Sequence, residues 1–266
     1  MSPYLALLRA RFRLLLHYRA AALAGIATQI GFGLILTSAF AAFYGSDQVS
    51  RQMLPLSLPN LMTYLWLGQA LLGLLPWRMD GEVKAMVTSG GLAYELLRPV
   101  DLYGLWFSRA IALRTAPVLL RAIPLLILAG WLFGLSLPPS IEAAGLWTVG
   151  LAGAVALSAA CTVLMSISLL WTLSGEGVQF AMPAFASFFS GHLLPLALFP
   201  DWAGRMIALL PFRGLMDTPH RLWIGTLEGA EAWGAIAHQW VWVALLVVVG
   251  RFLLSRGLTR VVIQGG

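Results

Sequence analysis

Residues 78–114 read RMDGEVKAMVTSGGLAYELLRPVDLYGLWFSRAIALR. Nine formal charges fall in this stretch, and the segments on either side carry almost none. A polar insert between long apolar runs is the pattern of a loop between membrane spans. The whole chain agrees. It is 59% hydrophobic and 11% charged, where a soluble domain carries about 25% charge. The net charge of +6 suits anionic headgroups, and so much Leu and Ala makes lipid, not nucleic acid, its partner.

Working outward, Gln52–Trp77 is charge-free and predicts a span near 58–77 that exits through Trp77 and Arg78. Ala20–Ser46 predicts a span near 21–43. In it Gly25, Gln29 and Gly33 repeat at every fourth residue, a narrow face for close helix packing. Gln29 reads as a hydrogen bond across helices or as a cargo contact. Further spans are expected near 115–134, 144–172, 178–199 and 235–254. Arg121 lies inside the first of these and either snorkels to headgroups or serves function. Gly150, Ala154, Ser158, Thr162 and Ser166 recur at i+4 in the next, as packing glue or as a polar path. The 178–199 segment carries Phe185, Phe188 and Phe189, and Pro183, Gly191 and Pro195 predict a kink or break.

Residues 1–20 read as a basic helix, lying on the membrane surface or simply fixing orientation. Its arginines interrupt the Leu run, so no cleavable leader is evident. Two short amphipathic pieces are expected between residues 201 and 232, and a basic tail from 257 to 266. With both termini and the 78–114 insert on one side, twelve basic residues face that side. Four, Arg51, Arg205, Arg213 and Arg221, face the other. The positive-inside rule then puts both termini in the cytoplasm. The expected fold is an all-α integral membrane protein with six transmembrane helices.

Several chemistries lack their residues. No phosphate-binding G-x-x-x-x-G-K-[ST] loop occurs, so ATP is not held this way on the chain. No close His/Cys cluster suggests a metal, and the single Cys161 excludes an internal disulfide. Carboxylates are nearly absent from the spans, unlike a proton-coupled carrier. Ser190 and His192 are neighbours, which leaves open an intramembrane enzyme acting on lipid, although no acid in that segment orients the histidine.

Within the insert, Gly90-Gly91 breaks the chain, residues 92–97 form a helical turn, and Pro99 stops it. Leu92, Tyr94 and Leu96 displayed beside Glu95 and Arg98 suit a knob for a groove on a soluble protein, or a solvated loop with an interfacial helix on its far side. Asp101 begins a second helical stretch. The motif Tyr94-Glu95-Leu96-Leu97-Arg98-Pro99-Val100-Asp101 resembles one between spans two and three of bacterial ABC transporter permeases of the type-2 export class. SGHLLPLALFPDW at 190–202, LLPF at 209–212 and Pro219 add to the likeness.

That resemblance implies a coupling helix, with Leu92, Tyr94, Glu95, Leu96, Leu97 and Arg98 contacting a separate ATP-binding subunit in two copies. It implies ATP and magnesium on that partner, a second permease that is identical or related, and an address in the bacterial inner membrane. The cavity-lining residues by the same likeness are Tyr64, Gln69, Phe185, Phe188 and Phe189. The expected function is export of an apolar or amphipathic compound. The alternatives are a scaffold that recruits a cytoplasmic partner, or the lipid-acting enzyme.

Overall fold

The computed structural model describes residues 3–17, 19–46, 55–172 and 174–260. Arg51 and the last residues of the basic tail, 261–266, lie outside the described residues. Among those described, all regular structure is helical. The helices are α1 (Pro3–Leu16), α2 (Arg19–Tyr44), α3 (Leu58–Ala70), α4 (Gly81–Thr88), α5 (Leu92–Leu96), α6 (Leu102–Phe133), α7 (Ile141–Thr172), α8 (Glu176–Phe189), α9 (Asp201–Leu209), α10 (Asp217–Trp223) and α11 (Gly229–Leu258).

Helices α2, α6, α7 and α11 are long and apolar enough to cross a bilayer. They differ in role. In the most apolar window of α7, 72% of residues are buried, against 17%, 28% and 22% in α2, α6 and α11. Helix α7 is therefore the axis, and the others turn an apolar face outward, as Leu119, Ile123 and Ile127 do on α6. The stripe expected on α7 is buried throughout. Gly150 meets Leu222 of α10, and Ala154 lies in the central cluster with Trp66, Leu125 and Val243.

The six crossings expected from the sequence become four continuous spans and two broken segments. Helix α3 has 13 residues, or about 20 Å, short of a hydrocarbon core of about 30 Å. It starts on the Ser57 cap, with Pro59 in its first turn. It ends at Ala70, and a 3-10 turn over Leu72–Leu74 leads to extended Leu75, as the following Pro76 favours. Helix α8 stops at Phe189, and the 178–199 segment continues as an irregular strap through Gly191, whose φ is +86°. Conversely, the stretch from Asp101 and the span expected near 115–134 are one helix, α6, in spite of Pro117 and Pro124.

Non-helical backbone within a membrane must find partners inside the protein, and around α3 it does. Ser158 Oγ donates to the Leu74 carbonyl. Arg114, only 4% exposed, donates to Leu75 O at 2.9 Å and to Arg78 O at 2.6 Å. Thr162 Oγ1 holds Arg114 in place, accepting from Nε at 3.1 Å and Nη2 at 2.9 Å. The α7 hydroxyls thus do more than permit close approach: they satisfy the unwound end of the second segment. A second buried clamp joins α7, α11 and residues 211–215. Gln239 Nε2 donates to Gly150 O at 2.9 Å and to Gly214 O at 2.7 Å.

The two ends of the bundle differ. At one end Asp101 meets Tyr4 and Arg251, Arg260 lies 4.1 Å over Trp171, and α4 and α5 pack nearby. At the other, Ser136 accepts from Trp223 and donates to Thr63 Oγ1, and Trp147 packs on Trp223. The first is the basic end, and residues near both termini lie there with the insert. Helix α1 packs along the first half of α6, with no residue fully buried. Of the two pieces expected after the fifth span, α9 exposes Trp202, Met206 and Leu209, whereas α10 is largely buried.

Candidate functional site: the charged insert and the interior polar groups

The insert is a pair of short helices pinned by ion pairs. Asp80 caps α4, its Oδ1 accepting from Glu82 N at 2.9 Å and Val83 N at 3.4 Å. Its other oxygen accepts from Arg109 Nε of α6 at 3.2 Å. Arg109 also reaches Glu82 at 2.6 Å and Glu95 at 4.0 Å. Arg11 of α1 pairs with Glu82 and lies 3.8 Å from Asp80. Two arginines from two helices thus hold three of the four acids of the insert. Between α4 and α5, Gly90 takes φ +77°, a conformation that favours glycine.

Helix α5 divides the residues expected to make coupling contacts. Leu92 is buried among Val83, Leu102, Leu105 and Trp106. Glu95 is buried and accepts from Trp106 Nε1 at 3.3 Å. These two face the chain's own core. Tyr94 is 76% exposed and Leu97 82%, with Leu96, Arg98 and Pro99 also exposed. The outward surface is a small apolar knob edged by one arginine. Asp101 ends the insert by capping α6 through Gly104 N at 2.8 Å. Its N–H donates to Tyr4 Oη at 3.0 Å, and its carboxylate takes both Nη groups of Arg251, at 3.2 and 2.8 Å.

The residues expected to line a cavity do not share one chamber. Tyr64 and Gln69 are buried in α3. Tyr64 Oη donates to Asp217 Oδ1 at 3.0 Å, a partner 153 positions away. Phe185 and Phe188 are exposed on α8. They pack with Phe189, which stacks on Phe212, while Phe188 meets Phe199 edge-on. Phe199 in turn closes a cleft of about 610 Å3 against Phe40 and Phe43 of α2, with only apolar residues on its walls.

On α2, Gly33 brings the Trp66 ring against the helix backbone, and Gly25 makes room for the Arg121 guanidinium. Gln29 is buried, and its Oε1 accepts no hydrogen bond. Ser190 and His192 do not pair. Ser190 Oγ and His192 Nδ1 each lack a hydrogen bond, and the nearby Asp217 is committed to Tyr64 and Arg221. The nucleophile–base contact that an intramembrane hydrolase requires is not formed.

The fold thus defines a multi-pass helical membrane protein with a clamped polar insert at its basic end. A family model described as ABC-2 family transporter protein matches residues 56–265. The chain belongs to that family and is a permease of the ABC-2 type, a membrane transport component. The match begins just before α3, so α1 and α2 lie outside it. No curated protein matches the chain.

Proposed function

We propose that this permease is the membrane half of an ATP-driven exporter whose power comes from a separate ATP-binding subunit docked on the Tyr94–Arg98 knob. Two such subunits hold the ATP and magnesium. They act on a pair of permeases, this chain with itself or with a related one. Both termini and the insert face the bacterial cytoplasm, as the distribution of basic residues favours.

The observation that carries the reading is the contrast over α5 and its cap residue: Leu92 and Glu95 anchor it, while Tyr94 and Leu97 project outward, exposed among the described residues. A rigidly anchored apolar knob is what a groove on a moving partner can grip. The cargo is apolar or amphipathic. The 610 Å3 cleft beside the Phe188–Phe199 cluster, lined by apolar side chains, supports this, as does the scarcity of carboxylates in the spans.

The test is site-specific photo-crosslinking in native membranes. A benzoylphenylalanine at position 94 or 97 should crosslink to a protein that carries an ATP-binding loop, and one at position 92 should not. Crosslinks from 94 and 97 back to this chain, or to lipid alone, overturn the assignment.

A further inference from the structure

Near the basic end, a cavity of about 520 Å3 opens between α1, α2, the turn after α3, and α6. Four arginines, Arg11, Arg78, Arg114 and Arg121, and one acid, Glu82, are among the residues that line it. That carboxylate is already engaged by Arg11 and by Arg109, which lies outside the cavity wall. Arg114 is 4% exposed and bonded only to neutral oxygens: Leu75 O, Arg78 O and Thr162 Oγ1. Among the described residues neither Arg114 nor Arg78 has a carboxylate within ion-pair distance. The remaining wall is apolar, with Leu14 and Leu15 of α1 facing Leu113, Pro117 and Leu120 of α6.

A buried cation is costly unless a counter-charge accompanies it. Guanidinium is the side chain best matched to a phosphate, through paired N–H donors. Basic recesses between membrane helices take anionic headgroups for this reason. Here arginines and apolar side chains share one cavity, so the complementary molecule has both a charged head and a hydrocarbon tail. Gly25 and Gly73 let the walls come together closely at the edge of the cavity. A Cβ at Gly25 would fall 2.6 Å from the Arg121 guanidinium carbon, and one at Gly73 would fall 2.7 Å from Val118.

We infer that this cavity is a binding site for an amphiphile with a net-anionic phosphate head, the head held among Arg78, Arg114 and Arg121 and the tail against the apolar residues of α1 and α6. The inference concerns binding alone, and holds whether the occupant is a bilayer lipid or a transported compound.

The test is native mass spectrometry of the full chain in a neutral detergent, with added phosphatidylglycerol or phosphatidylcholine. The expected result is at least a roughly tenfold preference for phosphatidylglycerol, which is about 1.4 kcal/mol. Dodecyl phosphate should compete, and millimolar inorganic phosphate should not. Arg78→Gln combined with Arg121→Gln should remove the preference while the unfolding midpoint holds, sparing Arg114 and its structural bonds. Equal retention of the two lipids by the wild type overturns the inference without reference to any variant. Competition by inorganic phosphate as strong as by dodecyl phosphate also overturns it, by showing a site for a free anion without a tail.

Discussion

Arg114 shows how far a residue's role can lie from its place in the sequence. It ends the charged insert and reads as a flank that fixes orientation. In the structure it is a buried cap for two carbonyls 36 and 39 positions upstream. Only the unwinding of α3 creates those orphan acceptors, and no local pattern announces it. Tyr64 is similar, since its partner Asp217 is remote in the chain. Glu95 was legible as a member of the insert, but not as an inward-facing one, because a five-residue helix is too short to show its register. Gln239 tests the clamp on α7. Gln239→Leu strips two buried carbonyls of their donor, and should cost about 1–2 kcal/mol in reversible unfolding from mixed micelles. Gly153→Ala should act through the same amide, because its new methyl group meets the Gln239 side chain. Arg109→Met leaves Asp80 and Glu95 buried with weakened partners, and should destabilise by about 3 kcal/mol in the same assay.

Among the elements, most long spans were readable, and of the two broken segments one was and one was not. Helices α2, α7 and α11 announce themselves because an uninterrupted apolar run of their length has few other uses. The run at 58–77 looks the same, yet ends as a helix at Ala70, where Ser158 and Arg114 supply an alternative to helical hydrogen bonds. Proline and glycine did foretell the break after α8. The insert was visible as a charged interruption, and the turn at 92–97 followed from the glycine pair and Pro99, whereas α4 and its Asp80 cap emerged only in the structure. Its two faces should separate cleanly by mutation. Leu92→Ala should cost about 2–4 kcal/mol of stability, as expected for a leucine deep in a core. Leu97→Ala should cost less than about 0.5 kcal/mol, being exposed, while it weakens capture of the ATP-binding subunit. A stability loss at Leu97 as large as at Leu92 would mean that the knob is structural.

For the molecule as a whole, the asymmetry of basic residues and the geometry lead to the same arrangement, with the insert and the residues near both termini at one end. The native Cys161 is buried and should stay silent to thiol reagents, so single added cysteines report cleanly. A membrane-impermeant maleimide applied from the cytoplasmic face should label Ser89→Cys and Thr259→Cys, and applied from the opposite face should label Ser140→Cys. Labelling of Ser89→Cys and Thr259→Cys from opposite faces would break the topology.

Asp101 gives this arrangement a mechanical meaning. Its main chain is tied to the first helix, its carboxylate to the last, and its other bond starts the helix between them. A partner gripping the neighbouring knob would pull on both arms through these bonds. A load entering at Pro99 would be shared between α1 and α11, and the give would be sought nearer the unwound end of the second segment, at residues 72–75.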